Sequence, residues 1–111
     1  MALIVKLLGA AEINGAGTTA LYTVPSSVSG AILNNVRLVN ANSPPGSTTV
    51  DLYFKPNTGN QVRILDRDLP IQNGNHVVVT PELTMAALDR IELTTVAGAK
   101  IHYVVSGAEK Q

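Results

Sequence analysis

The run Arg90-Ile91-Glu92-Leu93-Thr94-Thr95-Val96, Ala97-Gly98-Ala99, Lys100-Ile101-His102-Tyr103-Val104-Val105-Ser106 carries the clearest structural signal in the chain. Apolar and polar residues alternate on both sides of a small glycine-centred break. That two-residue period belongs to half-buried strands joined by a tight turn. The same rhythm extends through most of the sequence.

Ala2–Leu8 predicts a first strand, apolar on both faces apart from Lys6, and Asn14-Gly15-Ala16-Gly17 then breaks the chain. Thr18–Val24 follows and stops at Pro25, and Ala31–Asn40 is the longest candidate. Across Ala41–Gly46 the pair Pro44-Pro45 removes two backbone donors, so no ladder continues there. Thr48–Lys55 sets Val50, Leu52 and Phe54 against Thr49, Asp51, Tyr53 and Lys55, one face for a core and one for water. Gln61–Leu65 and His76–Thr80 are short strands. Pro81–Thr84 predicts a 3₁₀ or helical turn, and Leu83–Leu88 is the one place where a helix can be argued. Ala108–Gln111 reads as a frayed tail. Short connections imply antiparallel neighbours. The expectation is one all-β domain over residues 1–111, an antiparallel β-sandwich or jelly roll of about eight strands.

Composition narrows the function. The 111 residues carry 14% charged side chains and a formal net charge of zero, which leaves no electrostatic footprint for nucleic acid or anionic membrane. It also leaves little repulsion between copies, so self-association is expected. There is no cysteine, which excludes disulfides, thiolate metal sites and a Cys nucleophile. The apolar opening is too short for a signal peptide and holds its charge, Lys6, inside, so it reads as mature sequence. No segment approaches the roughly 20 apolar residues of a membrane span, and a soluble protein is expected.

Few residue groupings suggest chemistry. His76 and His102 fall in strand slots that face solvent, and no spacing brings Asp66, Asp68 or Asp89 to them as co-ligands. Asp66-Arg67-Asp68 begins like a calcium loop, but Leu69-Pro70 follows where oxygen ligands and a glycine belong. Asn14–Thr19 has the glycines of a phosphate loop without its lysine or its helix. The serines lie in or beside loops, and none occupies a nucleophile elbow. The four aromatic residues are not interleaved with basic ones, as a stacking platform requires, and a carbohydrate face usually shows tryptophan, absent here. No catalytic, cofactor or metal site is expected, and no enzyme.

Leu21-Tyr22-Thr23-Val24-Pro25, Val36-Arg37-Leu38-Val39-Asn40, Thr49–Phe54, Asp89-Arg90-Ile91-Glu92-Leu93 and Tyr103–Gly107 follow one another in an order that resembles small virion proteins of tailed bacteriophages. The likeness runs from about Thr18 to Glu109. Many such proteins have a glycine before the Asp of the penultimate strand, where this chain has Leu88. The resemblance implies a β-sandwich structural protein of the virion, assembled in the bacterial host cytoplasm. Within that class a capsid decoration (cement) protein is favoured, placed on the capsid surface and bracing neighbouring major capsid subunits. Its expected partners are the major capsid protein and copies of itself, as a homotrimer or another homo-oligomer. Rival roles are a neck, tail or baseplate component and a receptor- or carbohydrate-binding module. Residues 1–8 are the candidate interface strand or arm, through Leu3, Ile4, Val5, Leu7 and Leu8. Their two-sided apolar pattern equally fits a strand central in its own sandwich.

Overall fold

The computed structural model describes residues 3–42 and 46–110. The first residue of the expected Ala2–Leu8 strand, the Ser43-Pro44-Pro45 break and Gln111 lie outside them. Ten strands and no helix make up the described chain: β1 (Leu3–Asn14), β2 (Gly17–Thr23), β3 (Gly30–Asn40), β4 (Thr48–Lys55), β5 (Val62–Arg63), β6 (Leu69–Ile71), β7 (His76–Val79), β8 (Leu83–Ala86), β9 (Arg90–Thr95) and β10 (Lys100–Lys110). They form two antiparallel five-stranded sheets. One runs β1-β10-β3, with β7 and β8 sharing the far side of β3; the other runs β2-β9-β4, with β5 and β6 sharing the far side of β4.

If β5 with β6, and β7 with β8, each count as one interrupted strand, every successive strand crosses to the opposite sheet except at the step from β4 to β5, which pair side by side. That is the double Greek key of an eight-strand jelly roll. Leu33, Val36, Leu38, Ile101 and Val105 from the first sheet meet Leu21, Val50, Leu52, Ile91 and Leu93 from the second, in one continuous core. Alternation produces this directly, since the inward slots of β3, β4 and β10 are mostly apolar.

Three local expectations are corrected. β9 and β10 are strands on either side of the Ala97-Gly98-Ala99 turn, yet they do not pair with each other. The turn carries the chain from one sheet to the other, closed by the Ala99 amide donating to the Val96 carbonyl at 3.2 Å. Leu83–Ala86 is a strand, not a helix, because its backbone pairs with Gly30–Leu33 and buries Met85 against Ala31. Ala108–Lys110 is not frayed. It completes β10 between β1 and β3, and both Ala108 and Glu109 are buried.

The strand before Asp89 ends in a turn where Leu88 has φ 71°, a left-handed backbone that bulky residues rarely adopt. Hydrogen bonds impose it. The Leu88 amide donates to the Val24 carbonyl at 2.9 Å, the Asp89 amide to the Ala86 carbonyl at 3.1 Å, and the Asp89 carboxylate accepts from the Ala86 and Asn57 amides. The Leu88 side chain is 43% exposed, so it packs only in part in return. Removing its Cβ relieves roughly 1–2 kcal/mol of strain, against roughly 0.5–1 kcal/mol of added unfolded-chain freedom. Loss of the leucine's partial burial costs roughly a further 1 kcal/mol, so Leu88→Gly is expected to leave stability within about 1 kcal/mol of the natural chain, read as a nearly unchanged urea midpoint at unchanged slope.

Candidate interaction surface

Among the described residues β1 is an edge strand, paired only with β10. Leu3 through Leu7 face Lys110 through Ser106 in register, and the ladder then slips by one residue at Leu8. Directly opposed residues in an antiparallel ladder share a face. The inward parity of β10, set by the buried Ile101, Tyr103 and Val105, continues to Gly107 and Glu109. Ile4 and Lys6 therefore project on the inward side, and Leu3, Val5 and Leu7 on the outward side.

The first sheet, with strands of 11–12 residues, overhangs the second, whose longest strand has 8. The overhang leaves this half of β1 uncovered on both faces. Val5 is 82% exposed, and Leu3, Ile4 and Leu7 are also exposed. Leu8, the bulged residue, is instead half-buried and packs against the core. Of the five expected interface residues, four lie together on this open edge and the fifth anchors it.

Under the open edge lies a polar network that the sequence reading missed. Glu109 is 5% exposed and accepts a hydrogen bond from the Tyr22 hydroxyl at 2.6 Å and another from Lys6 Nζ at 3.1 Å. The contact joins the second sheet to the last strand and the last strand to the edge. The available signal was parity, because Glu109 falls in the same alternation slot as Tyr103 and Val105.

The Tyr22 hydroxyl holds the Glu109 carboxyl below its usual range; burial opposes this and Lys6 assists. Burial, then the hydrogen bond to Glu109 and its charge, push the Tyr22 hydroxyl up, so it stays a donor. Because the folded state binds the Glu109 proton more weakly, this stabilisation is complete above the unfolded carboxylate range. It disappears as pH falls through the depressed folded value. The thermal midpoint of the natural chain is thus expected to fall more steeply between about pH 5 and pH 2 than that of Glu109→Gln, measured by circular dichroism in parallel.

The other candidate residues do not converge. His102 Nε2 lies 2.8 Å from Glu12 Oε1 on the exposed outer face, with Lys100 Nζ 4.0 Å from the same oxygen. Hydrogen bonds from Asn14 and then His102 hold the Glu12 carboxyl low. His76 is exposed opposite Val39. Asp66 and Asp68 lie exposed in the loop before β6, while Asp89 is buried and locks its turn. Arg63 pairs with Asp51, donates to the Tyr53 hydroxyl at 2.9 Å and stacks over its ring at 4.9 Å, bracing β5 on β4. Among the described residues no group of three or more His, Asp or Glu is placed to hold a metal ion, and no pocket opens. No family model and no curated protein matches this sequence.

Proposed function

We propose that this chain is a structural protein of a bacteriophage virion, a capsid decoration protein that braces neighbouring major capsid subunits from outside. The observation that supports this most is the open half of β1, where four large apolar side chains stand in water on a strand whose outer backbone groups have no partner strand among the described residues. A soluble protein that keeps such an edge is built to be covered. The resemblance to small tailed-phage virion proteins supplies the setting.

The mechanism is adhesive. Apolar surface leaves water and backbone hydrogen bonds extend a sheet at subunit junctions, with each contact modest and the array strong by repetition. The jelly roll supplies a rigid platform, and ion pairs such as Lys6–Glu109 and Arg63–Asp51 hold its strands in place.

The copy number of the chain in purified particles of the phage that encodes it tests the reading. Quantitative gel staining against the major capsid protein is expected to return hundreds of copies, all removable from the outer surface. A count in the tens or fewer would move the protein to the neck, tail or baseplate, and absence from particles would remove the virion reading.

A further inference from the structure

We infer that the Leu3–Leu7 edge pairs antiparallel with the same edge of a second copy of this chain, across a two-fold axis at Val5. The inference deepens the adhesive reading above by naming the first partner of that surface. Three features carry it.

The first is the treatment of edges. β5, β6, β7 and β8 are only 2, 3, 4 and 4 residues long, and β6 contains Pro70; β2 presents Thr18 and Thr19. These are the usual devices against edge-to-edge pairing. β1 has 12 residues and no proline, and its apolar half is straight up to the bulge at Leu8.

The second is self-complementarity. Pairing about Val5 sets Leu3 opposite Leu7 of the other copy and Val5 opposite Val5, and it sets Ile4 opposite Lys6 on the other face. A two-fold perpendicular to the sheet preserves faces, so the outward set of Leu3, Val5 and Leu7 meets its own kind. A register centred between Leu8 and Gly9 also preserves faces and is longer, but it sets Val5 against Glu12 and Leu3 against Asn14.

The third is charge. Lys6, the one cation of this segment, is already neutralised within its own chain by Glu109. Its aliphatic stem is then free to lie over Ile4 of the other copy while the ammonium stays paired. With zero formal net charge, the chains do not repel.

The strand pair removes on the order of 800 Å² from water in total, the low end for a specific contact, so a dissociation constant on the order of 10–100 μM is expected. The joined sheet would continue unbroken through β3, β10 and β1 of both copies.

Sedimentation equilibrium of the full chain and disulfide mapping test this. The natural chain should show a monomer–dimer equilibrium, and Val5→Glu should weaken it at least about tenfold with an unchanged thermal midpoint, since that side chain supports nothing in the monomer. The chain lacks cysteine, so single cysteines report register cleanly. Val5→Cys should cross-link to itself on oxidation or with a short bis-maleimide. Leu3→Cys and Leu7→Cys should cross-link when mixed and not when separate, and Thr18→Cys should not cross-link. A natural chain that stays monomeric at about ten times the expected constant, a dimer indifferent to Val5→Glu, or preferential linking at Thr18→Cys would overturn the inference. No phage particles enter these measurements, so such a result leaves the copy-number test of the decoration reading intact.

Discussion

Gly107→Ala is expected to abolish cooperative folding, leaving a chain without a sharp thermal transition. Gly107 sits in β10 where β3 carries one extra residue, Asn34, in the ladder. The bulge pushes the Ile32 carbonyl oxygen into the space that a Cβ would occupy, with the Leu8 side chain at 3.1 Å and the Asn34 amide nitrogen at 3.2 Å closing the remaining directions. Backbone on two sides cannot yield as a side-chain tip can. Relief would require separating β10 from β3, the central pair of the long sheet. A cost of at least about 4 kcal/mol follows, a large share of the total stability of a domain this size. Gly46→Ala is the matched control: its Cβ would enter open space, and its transition should be nearly unchanged. Circular dichroism melts of the two variants, side by side, check both expectations.

Asn40→Ala should cost about 3 kcal/mol, measured as a fall in urea midpoint at constant slope. Asn40 is 2% exposed at the end of β3. Its Nδ2 donates to the carbonyls of Ile71 and Gly46, both at 2.8 Å, and its Oδ1 accepts the Asn42 amide at 3.0 Å. One side chain thus ties together the last residue of β6, the end of β3 and the loop that follows. Alanine would leave a buried carbonyl acceptor at Ile71 without its donor, and an unmade buried bond costs more than a made one gains. Asn42→Ala should cost less, because Asn42 is only half-buried, although its Oδ1 accepts the Lys100 amide at 2.7 Å.

The legible parts of the fold are those decided by neighbours in sequence. Thr48–Lys55 and Ala31–Asn40 are strands because their alternation leaves one consistent apolar face, and the structure places both almost as read. β8 was hidden because Leu83, Met85, Ala86, Ala87 and Leu88 include strong helix formers, and distant pairing with Gly30–Leu33 outweighed that preference. β6 was hidden by Pro70, which an outer strand tolerates on its unpaired side. β1 extends past the expected end at Leu8 because Gly9 is small enough to lie beneath the Leu21 carbonyl, where a Cβ would approach to 2.7 Å. Sheet membership has no local signature at all. Nothing in Arg90–Ser106 says that its two strands join different layers, since that depends on which partners lie on each side.

The interaction surface was half legible. The apolar two-sidedness of Leu3–Leu8 is visible in the letters, but a central strand and an unprotected edge share it. Only the overhang of one sheet beyond the other separates them. Asn40 and Glu109 carry no motif. Their roles arise from segments far away in sequence, Ile71 and Tyr22, that the fold brings to them.

The pairing of β1 with β10 has a temporal consequence during synthesis. The ribosome makes Leu3–Asn14 before Lys100–Lys110, their one partner strand among the described residues, which follows some ninety residues later. Until then an aggregation-prone apolar ribbon is unaccompanied in the nascent chain, and the jelly roll cannot close. Closure of the jelly roll is therefore a race between arrival of Lys100–Lys110 and capture of Leu3–Asn14 by another molecule.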